Sequence, residues 1–465
     1  MSLEFDNAIM EERFLEIVKG EDKNALREFL DDQNISDVAH LVDEYPEYEN
    51  QIIDSLSIHR ASSTFKILDL PTQKRVMRDL PPAKIAELLN ELPPDDRTDF
   101  LEGLPSNIVR ELIKLLNPDE RKITLSLLGY PENSVGRLMT TDYIVVSESD
   151  TVGQVMDNIR RNGKNSETID VIYVINEQGE LIDDIRIREF LLNPLGKKVS
   201  EIMDRRMISL NAYQDQEEAY KAFKMNNRVA LPVVSNSNKL LGIVTVDDVL
   251  WVATEEFTED IQKIGGSEAL DEPYLDIAFA RLIKKRVGWL VILFCSEMLT
   301  TTAMQYFNDE LSKAIVLGIF IPLAISAGGN SGSQASTLII RAMALGEVTL
   351  RDWWRVLRRE LLSGLTLGVI LGCVGFMRVG LWQILHFYNY GEYYARIATT
   401  ILCSLIGIVL WGSVMGSMLP LLLKRLKLDP ATSSAPFVAT LVDVTGIIIY
   451  FTVAYVLLKG TVIKP

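Results

Sequence analysis

Beyond residue 286 the chain is organised by five apolar stretches, near residues 287–307, 314–340, 361–385, 395–423 and 434–458. Each is long enough to cross a hydrocarbon core of about 30 Å as a helix. Lipid offers no hydrogen bonds to a backbone, so helices that close their own bonds are the expected form of all five. The charge divides at the same place. Residues 1–286 hold 54 Asp and Glu against 34 Lys and Arg, whereas residues 287–465 hold 9 against 13. An acidic soluble portion is thus joined to an apolar, mildly basic one, and 465 residues suffice for roughly three domains. This excludes a purely soluble enzyme, and the net charge of −16 argues against a nucleic-acid partner.

Flanking charges orient the spans. Arg281, Lys284, Lys285 and Arg286 precede the first. Arg341, Arg351, Arg355, Arg358 and Arg359 lie between the second and third, and Lys424, Arg425 and Lys427 between the fourth and fifth. The opposite loops and the C-terminus hold only Lys313, Arg396, Lys459 and Lys464. The positive-inside bias then puts the soluble portion in the cytoplasm and the C-terminus outside, in a multi-pass protein of the plasma or inner membrane. The charged N-terminus has no signal-peptide core. Cys295, Cys373 and Cys403 all lie in the apolar part, so no disulfide framework is expected, and the scattered His40, His59 and His386 do not suggest a zinc site.

Polar residues inside the spans are the most informative. Asp443 lies about ten residues into the fifth, where a carboxylate on a lone helix costs roughly 2.5–3.5 kcal/mol. It needs a cation, a wet cavity or a structural partner such as Arg378 of the third span, whose long stem could otherwise snorkel outward. The second span, over residues 322–336, combines Gly328, Gly329 and Gly332 with Asn330, Ser331, Ser333 and Gln334. One reading is a broken helix whose freed carbonyls serve as hard oxygen ligands for a hydrated cation. The other is close helix packing through Gly328 and Gly332, four residues apart. Glu297 in the first span fits either a pore vestibule or a hydrogen bond to a neighbouring helix.

In the soluble portion, Leu70-Pro71, Leu80-Pro81, Leu92-Pro93, Leu104-Pro105 and Asn117-Pro118 recur every 10 to 13 residues. Each proline can open a helix with acidic residues in its first turn, as at Pro93, Pro94, Asp95 and Asp96. Residues 1–132 therefore read as an all-α superhelical repeat domain. Residues 133–261 read as two copies of an α/β unit about 64 residues long, 133–198 and 199–261, with Met139 matching Met203 and Tyr173 matching Pro232. The pattern resembles a CBS-domain pair. Its adenosine-binding motif, Gly-x-x-Thr-x-x-Asp, stands in the second copy as Gly242, Thr245 and Asp248. Arg186 and Glu189 occupy the matching places of the first copy, so the resemblance implies at most one site for ATP or another adenine nucleotide, and structural use without nucleotide remains open. Glu255, Glu256, Glu259 and Asp260 follow, a cluster suited to weak, reversible Mg2+ binding. Residues 262–286 then form a linker with Gly265, Gly266 and Pro273. Its end, residues 274–286, carries Leu275, Phe279, Leu282 and Ile283 on one stripe, as an amphipathic connecting (plug) helix or a passive linker.

This order of parts resembles the MgtE family of magnesium channels and transporters over essentially the whole chain. The matching pieces are Pro322 with residues 329–334, Asp429-Pro430-Ala431, the stretch from Pro436 to Asp443 followed by Gly446, and the linker at residues 258–266. The resemblance implies a homodimer in lipid with a five-helix transmembrane domain, residues 287–465, and an ion path on the two-fold axis. Paired Asp443 side chains would hold a hydrated Mg2+, with Asn330, Gly329 and Ala439 nearby. It also implies regulatory Mg2+ at Glu255, Glu256, Glu259 and Asp260, with Asp248, Asp95 and Asp96 as further sensor residues. Plentiful cytoplasmic Mg2+ would bridge the acidic domains and close the pore. The expectation is therefore a Mg2+-selective uptake channel and not an enzyme. The alternative is a membrane-anchored CBS-type nucleotide or metal sensor that moves no ion.

Overall fold

The computed structural model describes residues 2–20, 22–270, 272, 274–275, 277–307 and 315–459; Pro273, Lys313 and Lys464 lie outside the described residues. Two compact units result, residues 1–256 and 257–465. In the first, a run of short helices leads from Ser2–Lys19 to Pro118–Leu127. The prolines open them as the motif implies. Pro71 and Pro118 lie in the first turns of Leu70–Asp79 and Pro118–Leu127, while Pro81, Pro93 and Pro105 cap Pro82–Glu91, Pro94–Glu102 and Ser106–Ile113. Proline suits these places because first-turn N–H groups lack an intrahelical acceptor and its ring presets φ. The leucines before them, such as Leu80 and Leu92, are buried. Helices pack against the one two places along, as Ile35–Glu44 does on Ile58–Phe65 and Ile58–Phe65 on Pro82–Glu91, which winds the stack around one apolar core. Fully buried Arg97 ties its end together, donating to the carbonyls of Leu89 (3.1 Å) and Leu92 (3.2 Å), to Thr124 Oγ1 (2.9 Å) and to Glu120.

Two copies of one α/β unit follow. Strands β1 (Val145–Ser147), β2 (Val171–Ile175) and β3 (Leu181–Arg186) form one sheet, and β4 (Leu210–Asn211), β5 (Ala230–Val234) and β6 (Leu240–Thr245) repeat it. In each, the first pair is parallel and the second antiparallel, with a register slip at the matching place, Val174/Ile175 and Val233/Val234. The 64-residue spacing holds only through the helices Val152–Asn162 and Gln216–Asn226; from β2 and β5 onward it is 59, because the first copy carries five more residues ahead of β2. The opening segment of each copy crosses to the other. Thr140 pairs with Ile243, and the Asp183 carboxylate accepts from the N–H groups of Asp204 and Arg205 at 3.0 Å.

Helix Val246–Ile264 carries the whole acidic run from Glu255 to Asp260. Among the described residues, no separate connecting helix covers the expected range 274–286. Phe279–Tyr306 runs unbroken for 28 residues from the basic segment into the first span, since nothing between residues 279 and 287 stops a helix. The break falls earlier, at Gly265 and Gly266, where Gly266 adopts φ +77°.

Among the described residues, five helices of the second unit are long and apolar enough to cross a membrane: Phe279–Tyr306, Ile315–Ala344, Leu350–Ile384, Tyr394–Arg425 and Ala435–Leu458. The expected break at the glycines of the second span is also corrected, because Ile321–Ala344 is a continuous helix. A Cβ at Gly412 or Gly416 of the fourth helix would collide with the carbonyl oxygen of Gly328 or Gly332. These glycines therefore bring two backbones together, and Ser331 and Ser413 hydroxyls bond across the crossing at 2.7 Å. Gly364, Gly368 and Gly372 of the third helix press against the fourth in the same way. Arg378 stacks over the Trp382 ring at 3.5 Å and does not reach Asp443.

Candidate functional site

The sequence-marked residues gather in two places. In the membrane unit, the beginning of the fifth helix is tied to the second by Ser333 Oγ donating to Ala435 O (3.0 Å) and Ser336 Oγ to Ser433 O (2.9 Å). Val438 and Val442 close over Gly328 and Gly332 on this contact. That packing turns Ala439 and Asp443 toward Gly329. A Cβ placed on Gly329 would lie 3.4 Å from Ala439 Cβ and 3.5 Å from Asp443 Oδ1. Gly329 thus lies beside the carboxylate, at a distance where even a methyl group would make only ordinary contact. Among the described residues no cation pairs with Asp443, and the charge that bears on it is Glu297. Asn330 is exposed on the single chain, its Nδ2 3.4 Å from Ser326 Oγ. With Gln334, one turn further on, these residues form an exposed polar stripe on a helix otherwise fit for lipid.

In the soluble unit, Asp95 and Asp96 occupy the first turn of Pro94–Glu102, and Asp247 and Asp248 the first turn of Val246–Ile264. Some 150 residues apart in sequence, they meet in one electrostatic group with Glu167. Burial, then Asp248, Asp96 and Glu167, push the Asp95 carboxyl well above its ordinary range, and its Oδ1 is buried without a hydrogen-bond partner. Burial pushes Asp248 up to about 7, with Asp247 and Asp96 adding to it, although Thr245 Oγ1 donates to its carboxylate at 2.5 Å. Asp99 reaches about 6 through burial, Glu255 and Glu102. Asp142 reaches about 6 through burial, Glu120 and Glu167. Among the described residues, Lys66, 3.4 Å from Asp96, and Arg97, which acts on Asp142, are cations set against this group. Among the described residues no three acidic, histidine or cysteine side chains stand close enough to clasp a bare metal ion. Charge relief by a hydrated divalent ion, or by protons, is what the group can accept.

The four acids of the linker helix lie within six residues of Val246–Ile264. Glu256 accepts from Gln216 Nε2 at 2.9 Å, and Glu255 acts on Asp99. Glu259 pairs with Lys263, whose Nζ also donates to Asp429 Oδ2 at 2.7 Å, just ahead of the fifth helix; Asp260 lies between them on the same helix. Within the nucleotide motif, the place of a Cβ on Gly242 is taken by Thr140 O and Met139, so close packing already requires that glycine. Sequence reasoning missed Asp99, Asp142, Glu167 and Asp247. Glu167 lies in the five-residue extension of the first copy, and the uneven spacing of the two copies was the available signal.

Stacked helices, a paired α/β unit and five membrane-length helices define a multi-pass membrane protein with a large acidic soluble part. A family model described as a divalent cation transporter matches residues 321–453, one described as the MgtE intracellular N domain matches 33–133, and the CBS domain model matches 135–194 and 199–255. The magnesium transporter MgtE of Thermus thermophilus is 36% identical over 412 residues, covering 83% of this chain and 89% of its own length. That of Bacillus subtilis is 28% identical over 92% of this chain and 93% of its own. A crystal structure of the cytosolic domain of the Mg2+ channel MgtE in complex with ATP matches 51% of this chain and 98% of its own, at TM-score 0.50 and 33% identity. The chain belongs to the MgtE family.

Proposed function

We propose that this chain carries Mg2+ across the cell membrane along a path lined by Asp443, Gly329, Ala439 and Asn330. Mg2+ transport is the activity named for its relatives, and the observation that carries the reading here is Asp443 itself. A carboxylate at membrane depth without a cationic partner costs several kcal/mol unless a mobile cation offsets it. Gly329 sets no side chain between the second helix and this carboxylate, and Mg2+ tends to keep its waters. The exposed stripe of Ser326, Asn330 and Gln334 fits a homodimer in which two copies enclose the path. The charge bias of the loops favours a cytoplasmic soluble portion and an outward C-terminus. Transport down an electrochemical gradient needs no catalytic residue, so no enzymatic step is assigned.

Regulation follows from the acidic group. At low cytoplasmic Mg2+, Asp95, Asp96, Asp99, Asp247, Asp248 and Glu167 repel one another, and the helical repeats separate from the second CBS copy. Mg2+ restores the packing. The linker acids Glu255, Glu256, Glu259 and Asp260 extend the response, and the Lys263–Asp429 pair passes it to the fifth helix that carries Asp443. An adenine nucleotide at Thr245 and Asp248 would compete with this use of Asp248. The test is Mg2+ uptake into proteoliposomes. Asp443→Ala should abolish it, and uptake equal to the parent would remove Asp443 from the path.

A further inference from the structure

The geometry points to a second carboxylate in the ion path: Glu297 of the first membrane helix shares the Mg2+ site with Asp443, beside the Thr300 hydroxyl. This deepens the proposed pore and rests on it. The first and fifth helices run parallel, held at one end by Trp289 against Phe437 (6.0 Å between ring centres) and at the other by Phe307 stacked on Phe451 (4.9 Å). From the first contact Glu297 is eight residues along its helix and Asp443 six along its own; from the second they are ten and eight residues back. At 1.5 Å per residue, both measurements place the two carboxylates within about 3 Å of the same depth.

Glu297 lies eleven residues from Arg286 and nine from Tyr306, near the middle of the span, and is exposed on the single chain. A carboxylate there, facing lipid, costs about as much as Asp443 does. Thr300, one turn further on the same face, is 8% exposed, and its hydroxyl has no hydrogen-bond partner. A helical threonine usually bonds its hydroxyl to a carbonyl of the preceding turn, as Thr302 does to Met298 O. An unbonded, buried hydroxyl one turn from Glu297, which lies close to the depth of Asp443, suits the water shell of a divalent cation. The first helix thus supplies charge that attracts a divalent ion, and Thr300 accepts from or donates to its waters.

The experiment measures Mg2+ uptake against Mg2+ concentration in proteoliposomes of the full chain, for the parent, Glu297→Gln, Glu297→Asp and Asp443→Asn. Hexaamminecobalt(III), a fixed mimic of a hydrated cation, serves as a blocker. Glu297→Gln should raise both the half-saturating Mg2+ and the blocking concentration about tenfold, whereas Glu297→Asp should stay within about twofold of the parent. If Glu297→Gln leaves both concentrations unchanged while Asp443→Asn is inactive, Glu297 is outside the path and the proposed function stands. If both Glu297 variants lose uptake together with thermal stability, the residue is structural and the inference is overturned. If Asp443→Asn itself conducts like the parent, the underlying pore reading falls.

Discussion

Asp248→Asn should make the soluble portion pack without Mg2+. In the packed arrangement burial, Asp247 and Asp96 hold the Asp248 carboxyl at about 7 against an ordinary 3.8. Each pKa unit corresponds to 1.36 kcal/mol, so ionised Asp248 opposes packing by at most about 4 kcal/mol at neutral pH. Water and side-chain relaxation reduce that ceiling, and about a third of it, near 1.4 kcal/mol, is a tenfold change in the packing equilibrium. A raised carboxyl stabilises the packed form fully below its ordinary pKa and loses that contribution as pH rises through about 7. Asp95, Asp96 and Asp99 shift in the same direction. Limited proteolysis of the full chain in detergent, read at the junction between residues 127 and 135, reports the packing. The parent at zero Mg2+ should gain protection as pH falls from 8 to 5.5. Asp248→Asn should already be about tenfold better protected at pH 8, with a flatter pH profile and a smaller gain from Mg2+. A variant no better protected than the parent at pH 8, or a parent that loses protection on acidification, would refute the reasoning.

Lys263→Ala removes the pair to Asp429 and the pair to Glu259. Both partners are about a third exposed, so the effect is below about 1 kcal/mol, and the Mg2+ concentration that halves uptake should shift only a few-fold; an unchanged value would mean the pair carries no signal. Gly416→Ala places a methyl against Gly332 O, and overpacking of this kind costs about 1–3 kcal/mol or more. Its melting temperature in detergent should fall by several degrees, whereas Gly380→Ala, which meets nothing within 4 Å, should change little.

Much of the fold was legible because it is written in local periods. Five apolar runs exceed the membrane thickness, and the prolines between residues 71 and 118 recur where helices begin. The doubled pattern around Tyr173 and Pro232 shows a repeated unit. The connecting helix was misplaced for a local reason as well: the stripe of Leu275, Phe279, Leu282 and Ile283 marks helix but not where helix ends, and Gly266 made the break instead. The glycines of the second span were ambiguous alone, since the same residues that weaken a helix also let two helices touch. Only Gly412 and Gly416 on the facing helix resolve which role they play.

The sequence by itself determined that this chain spans a membrane five times, carries an acidic soluble part and keeps one costly carboxylate in its last span, because length, charge and hydropathy act without knowledge of what lies opposite. Tertiary structure alone decided that Asp95 faces Asp248, that Gly329 lies beside Asp443 and that Glu297 shares its depth. Those relations join residues more than a hundred positions apart, and no local period records which helix face meets which.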